Sequence, residues 1–167
     1  MIYTFKALIQ DDIPSIVATF TAIGWNKPTS IYEQYFQEQR GGQRHIWIAR
    51  QNNTVLGYVT LKWQSDYPLF KMHNIPEIND LNVLPVFRKQ GIGSKLLDYA
   101  EAEARGKSHI VGLGVGLYAD YGDAQKLYVK RGYIPDGHGI TYNNNFVNPG
   151  STVQVDDDLI LWLTKSL

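Results

Sequence analysis

The stretch from residue 78 to residue 106 constrains the fold most. A short apolar alternation, "INDLNV", runs to Pro85, "RKQGIGS" follows with Gly91 and Gly93, and Leu96, Leu97, Ala100 and Ala104 then recur at helical spacing up to Gly106. A period of two marks a strand and a recurrence at three and four residues marks a helix, so this segment reads as strand, glycine turn, helix. Glycine is a poor helix former, by about 1 kcal/mol against alanine in a helix interior. Its use twice at a helix start therefore asks for a reason. Two readings stand on the motif alone. The turn needs glycine for its own shape, or the main chain is bare so that a ligand can approach it. In the second case the outward N–H groups of a helix start, with roughly half a positive charge from the helix dipole, make a cradle for phosphate.

The rest of the chain supplies alternating strands and helices. Residues 2–9 read as a first strand. Asp12 is placed to cap a helix carrying Ile13, Ile16, Val17 and Phe20, with Pro14 in its first turn. Ser30 and Glu33 have capping-box spacing for a second helix that stops at Gly41 and Gly42. "HIWIAR" and "VLGYVTLKW" form a hairpin about Asn52-Asn53. "QSDYPLFKMHNIP" reads as looser chain before the strand "EINDLNV". After the helix to Gly106, "IVGLGVGL" alternates Val111, Leu113, Val115 and Leu117 with Gly112, Gly114 and Gly116. Such a strand has one nearly bare face, against which another group packs closely. A helix "DAQKLYVKR" ending at Gly132, a turn "YIPDGHG", and strands "GITYNNN" and "LILWLTK" complete the pattern. The order is mixed α/β, and no repeat or linker divides residues 1–167, so one domain is expected.

Composition narrows the function classes. Sixteen basic and sixteen acidic residues cancel, which argues against a phosphate-tracking nucleic-acid binder. There is no cysteine, which removes disulfides, thiolate metal sites and a cysteine nucleophile. No run reaches membrane-span length and the start shows no signal-peptide pattern, so a cytoplasmic location is the expectation. The four histidines, His45, His73, His109 and His138, lack metal-ligand spacing. Asp156 to Asp158 read as an acidic bend before the last strand and not as a cation loop.

Three nucleotide motifs fail on the glycine pair. A dinucleotide fingerprint requires glycine where Leu96 stands, and a P-loop ending in the "GKS" at Gly106 requires glycine where Glu101 stands. A kinase loop lacks its HRD and DFG partners. What remains is Arg88-x-x-Gly91-x-Gly93 between a strand and a helix, which resembles the pyrophosphate signature of the GNAT superfamily of acyl-CoA-dependent N-acyltransferases. "AQKLYVKRGY" resembles the second motif of that superfamily, and the element order agrees along the whole chain.

The resemblance implies a central twisted, mostly antiparallel sheet of about seven strands with helices on both faces. It implies acetyl-CoA as acyl donor and no metal. Backbone groups of Leu81, Asn82 and Val83 would bind the pantetheine arm as an added strand against the glycine-faced strand, with an N–H near the acyl carbonyl. Arg88, Lys89, Gln90, Gly91, Ile92, Gly93 and Ser94 would hold the pyrophosphate, and Ala124 and Tyr128 would line the cofactor side of the helix after the gap. Tyr128 matches the tyrosine that protonates the departing thiolate. A phenol of pKa about 10 is able to donate to a thiolate whose acid has pKa about 8.5. The alternative is a plain core tyrosine. Asp80, placed by alternation on the face opposite Leu81, is the candidate base for the acceptor amine, against a reading as a solvated strand carboxylate. The asparagine common three residues before Ala124 is Tyr121 here, which leaves that pantetheine contact open, with Asp120 and Tyr118 nearby.

The acceptor is a small-molecule amine or a protein amino group, with neither nucleic acid nor membrane as partner and a homodimer as the expected assembly. Trp25, Tyr32, Tyr35, Trp63, Tyr67, Phe70 and Tyr118, with Glu33, Asp66 or Glu77, are candidates for an aromatic, acidic acceptor pocket. Two rival functions remain: a non-catalytic acyl-CoA-binding sensor, and a dinucleotide-dependent oxidoreductase that Leu96 already disfavours.

Overall fold

The computed structural model describes residues 2–167. Its strands are β1 (Thr4–Ala7), β2 (Arg44–Gln51), β3 (Thr54–Lys62), β4 (Glu77–Val83), β5 (Ile110–Gly116), β6 (Ile134–Tyr142), β7 (Asn145–Phe146) and β8 (Leu159–Ser166). The helices are α1 (Ile13–Thr21), α2 (Thr29–Arg40), α3 (Pro68–Met72), α4 (Ile92–Arg105) and α5 (Gly122–Lys130). The mixed α/β class is as expected, with eight strands where about seven were read; β7 is the addition. Two compact units divide the chain, one formed by the chain up to Trp63 with Ile78–Glu103, the other by Gln64–Glu77 with Ala104–Leu167.

In the first unit the strand order is β1-β2-β3-β4. β1 and β2 pair antiparallel, as do β2 and β3. The hairpin turns where Gln51 faces Thr54, with Asn52 in the left-handed region at φ 53°. Asparagine tolerates that conformation because its short side chain bonds locally. Its core gathers Ile13, Ile16 and Phe20 of α1 and Tyr32 of α2 on Ile46, Ile48, Val55 and Tyr58. Burying each aliphatic side chain contributes about 1.5–3 kcal/mol. The helix starts differ from the expected caps. Asp12 makes no forward cap on α1. It accepts from the Ile9 N–H at 3.1 Å and from Arg50 Nη2 at 2.5 Å, tying the entry of α1 to β2. α2 begins at Thr29 directly after Pro28, so Ser30 falls inside the first turn and the box with Glu33 is not formed.

In the second unit the order is β5-β8-β6-β7, with β5–β8, β6–β8 and β6–β7 all antiparallel. The segment read as loose contains the short α3, which places Phe70 edge-on to the stacked rings of Tyr67 and Trp162. The Tyr67 and Trp162 rings lie 4.3 Å apart and 2° from parallel, an arrangement worth about 0.5–1.5 kcal/mol beyond its buried area. The expected turn at residues 133–139 lies largely within β6. Its glycines, Gly137 at φ 88° and Gly139 at φ 80°, form an irregularity where the register slips between Pro135 and Ile140.

The bare face of β5 is covered by this unit's own side chains. A Cβ at Gly112 would lie 2.1 Å from the Phe70 ring, one at Gly114 2.7 Å from Ile160, and one at Gly116 2.4 Å from the Tyr121 ring. Glycine at every second position therefore admits an aromatic and aliphatic layer against the strand. Gly112→Ala should lower stability by about 1–3 kcal/mol through overpacking, and Phe70→Leu in the same chain should restore part of that loss. Urea unfolding of both variants measures it, and a Gly112→Ala chain as stable as the parent would contradict the packing.

Candidate active site

After β4 the chain runs through buried Leu84 and a single 3-10 turn, Pro85–Phe87. Arg88 is extended at φ −67°, ψ 164°. Lys89 at φ 59° and Gly91 at φ 82° then both enter the left-handed region. A left-handed residue leading into a helix, as Gly91 does, turns successive N–H groups toward one concave side, a geometry that binds anions. α4 starts at Ile92, whose buried side chain fixes the helix end, and the first helical bond runs from the Lys95 N–H to the Gly91 carbonyl at 2.9 Å. Nothing lies within 4 Å of where a Gly91 Cβ would stand. Gly91 is thus required for its backbone conformation, and the space above it is open. Gly93 and Ser94, half-buried, follow in the first turn of α4.

The side chains of this turn are sorted by their partners. Arg88 donates from Nε to the Val83 carbonyl at 3.2 Å, and its guanidinium lies 5.5 Å from the Trp25 ring centre. Gln90 turns back on the chain, accepting from the Tyr3 hydroxyl and donating to the Val86 carbonyl at 3.3 Å. Lys89 is exposed.

Within β4, Asp80 has φ 57°. Left-handed backbone at a non-glycine residue costs of order 1–3 kcal/mol and persists only where surroundings hold it. It also breaks strict strand alternation, so the expected opposition of Asp80 and Leu81 does not follow from period two here. The holding contacts are visible. Asn82 Nδ2 donates to Asp80 Oδ1 at 2.7 Å and to the Asp80 carbonyl at 3.3 Å. Asp80 Oδ2 accepts from the Tyr35 and Tyr58 hydroxyls, each at 3.0 Å, and from Lys27 Nζ, which also donates to the Tyr58 oxygen at 2.9 Å. Burial first, and the nearby Asp80 charge second, push the Tyr35 and Tyr58 phenols above their ordinary range, so both remain donors. Behind them, Arg44 lies 4.1 Å from the Tyr35 ring centre and is fixed by Glu38 at 2.5 Å and Thr60 at 2.6 Å. Leu81 and Val83 are half-buried on the same strand.

In the second unit, Ala124 and Tyr128 share one face of α5, a turn apart. Tyr128 is buried, and its ring meets Tyr133 edge-on at 5.9 Å. Burial pushes the phenol above its ordinary range. Tyr121 packs on Gly116 and donates to Asp157 Oδ1 at 2.8 Å, and Tyr118 donates to the same oxygen. That bond is the main reason the Tyr118 phenol is pushed up to about 12. Asp156 accepts from Tyr142 at 2.9 Å. The acidic bend is an anchor for tyrosines, and Asp120 is exposed.

The structure brings Asp80 and Asn82 together with Tyr35, and Arg88 together with Trp25. Lys27 and Tyr58 had no sequence signal. Lys27 lies in an unpatterned loop before Pro28, and Tyr58 is in a run of β3 buried on both faces. The carboxylate among the aromatics is Asp80. Glu33 and Asp66 are exposed, and Glu77 is buried with Ser65. Tyr67 and Phe70 belong to the core.

The sequence model of the Acetyltransferase (GNAT) family matches residues 10–133. The chain belongs to that family. An aminoalkylphosphonate N-acetyltransferase of Salmonella typhimurium is 37% identical over 93 residues, covering 53% of this chain and 56% of that protein. The chain thus spans a little over half the length of that relative. Among solved structures, an N-acetyltransferase from Staphylococcus aureus Mu50 is similar at TM-score 0.72 and 19% identity, over 99% of both chains. A Salmonella typhimurium protein solved with its cofactor acetyl-CoA is similar at TM-score 0.71 and 16% identity, over 99% of this chain and 94% of the other. At these identities the likeness establishes the shared fold.

Because nothing crowds Gly91, its replacement isolates the backbone cost. Gly91→Ala should destabilise the chain by about 1–2 kcal/mol, the cost of a left-handed alanine. Urea unfolding measures it, and an unchanged midpoint would contradict the turn geometry.

Proposed function

We propose that the chain is an acetyl-CoA-dependent N-acetyltransferase, with residues 1–167 acting as one domain, that passes an acetyl group directly to a primary amine. The observation that carries this is the turn from Arg88 to Ser94. It opens a 14-residue helix, has left-handed Lys89 and Gly91, and leaves the space over Gly91 clear. It lies within the segment matched by the family. The pyrophosphate fits there on N–H groups from Lys89 to Ser94, with charge from Arg88 and Lys89 and with Gln90 and Ile92 bracing the turn. Bound acetyl-CoA supplies a thioester carbonyl and a thiol leaving group.

The chain's own residues supply the rest of the reaction. The backbone of Leu81, Asn82 and Val83 is assigned to the pantetheine arm, next to the left-handed kink at Asp80. An N–H there stabilises the oxygen as it gains charge. Asp80 receives the acceptor's amine and takes its proton. Tyr128, on the face shared with Ala124, gives a proton to the departing sulfur. Its burial-raised pKa keeps that proton in place well into the alkaline range. The acceptor we assign is a small primary amine. Aminoalkylphosphonates are the first class to test, on the strength of the Salmonella relative. Among the described residues no helix is long and apolar enough to cross a membrane. A cytoplasmic homodimer is the assembly we propose.

Calorimetry with acetyl-CoA and a thiol-release assay with 2-aminoethylphosphonate test the whole reading. No coenzyme uptake at millimolar concentration would end it. Tyr128→Phe should lower kcat by about 100-fold while acetyl-CoA affinity holds. In the parent enzyme this acid should not titrate out below about pH 10, because burial raises its pKa. An unchanged kcat would remove Tyr128 from the role. Gly93→Val should abolish coenzyme uptake.

A further inference from the structure

We infer that Asp80, Tyr35 and Tyr58 form a binding site for a primary ammonium group, and that Lys27 is its internal occupant, displaced when the acceptor enters. The site is contained within the first unit. Lys27 Nζ has the surroundings that an alkylammonium ligand needs. It donates to the carboxylate Oδ2 of Asp80 and to the Tyr58 oxygen at 2.9 Å. It lies 6.0 Å from the Tyr35 ring centre and 5.6 Å from the Tyr58 ring centre, within or at the edge of the range for cation–π attraction.

The walls are fixed independently of Lys27. Tyr58 is buried and meets Phe20 and Tyr32 edge-on at 5.4 and 5.7 Å. Tyr35 is backed by Arg44, itself bonded to Glu38 and Thr60. Asp80 is held by Asn82. The occupant is held more loosely. Lys27 comes from the segment between α1 and α2, and its side chain is 30% exposed against 16% for Asp80. A rigid anionic niche with a half-exposed lysine on a loop as its cation is suited to exchange of one ammonium for another. Oδ2 of Asp80 already accepts three donors, of which Lys27 is the cation, so an ammonium that takes its place on that oxygen does so as Lys27 leaves. No bond is made or broken in the exchange. The inference rests on the acetyltransferase reading for the word acceptor, and on the geometry alone for the niche.

The test uses the whole protein without acetyl-CoA, so its failure is separable from failure of the transfer reaction. The Lys27 Nζ resonance, assigned with Lys27→Met, is followed in 15N-lysine-labelled protein during titration with n-butylammonium chloride, with n-butanol as the neutral control. The signal should move and saturate with n-butylammonium and stay in place with n-butanol. Lys27→Met, which keeps a long side chain but removes the charge, should bind n-butylammonium about fivefold more tightly, the competition expected of a partly exposed ion pair. Asp80→Asn should lose the binding. A stationary Lys27 signal in the unsubstituted protein, which needs no variant to fold, would overturn the proposal. So would Lys27→Met binding as the parent does or more weakly, or Asp80→Asn retaining the parent's affinity.

Discussion

A left-handed aspartate inside a strand is the constraint on which the site depends. At φ 57°, Asp80 is in a conformation that L-residues adopt at a cost, and its own side chain is part of what meets that cost. Asn82 bridges its carboxylate and carbonyl, while Tyr35, Tyr58 and Lys27 converge on one oxygen. The kink therefore aims the carboxylate and is stabilised by the groups it aims at. It also acts down the chain. β4 continues to Val83, whose carbonyl takes Arg88. Leu84 then bonds back to the Leu56 carbonyl at 2.8 Å, so the turn to α4 leaves from a fixed point.

That turn achieves openness by conformation and β5 achieves closeness by absence of side chains, although both are read as glycine motifs. Gly91 has nothing near its missing Cβ, whereas at Gly112 and Gly116 aromatic rings stand too close, at 2.1 and 2.4 Å, for a Cβ to fit. Glycine answers two different needs here, positive φ in one case and close approach in the other. Position between a strand and a helix marks the first, and strict alternation with valine and leucine marks the second.

The same distinction explains what could be read from residues alone. β4 agrees with its reading over Glu77–Val83 because turn signals bound it on both sides. The hairpin at Asn52-Asn53 and the helices carrying Leu96 and Tyr128 follow from local periodicity. β6 was divided into turn and strand because Gly137 and Gly139 are turn residues, and only pairing with β8 keeps them in a strand. Asp12 stands at the N-cap of α1 as read, but its carboxylate turns to Arg50 and makes no side-chain cap, and at α2 the N-cap is Pro28 where Ser30 was expected. For the site, the glycine turn before α4 was legible as a motif. The partners of Asp80 were not, since Lys27, Tyr35 and Tyr58 come from separate elements and no spacing relates them. Tyr121 in place of asparagine left one pantetheine contact open in the sequence; its side chain covers Gly116 and is tied to Asp157.

The composition of the niche decides what is able to replace Lys27. Burial keeps Tyr35 and Tyr58 as neutral phenols, so they donate to Asp80 without balancing its charge. Lys27 balances it in this structure. Removing Lys27 from this partly exposed ion pair leaves the Asp80 charge without its counter-ion, at a cost of about 1 kcal/mol. A neutral molecule that pushed Lys27 aside would incur that cost, and an anion would incur more. A primary ammonium incurs neither, because it brings the charge and the donors that leave with Lys27. Selection for amines then follows from charge balance around one kinked carboxylate, before any contact with the remainder of the acceptor is made.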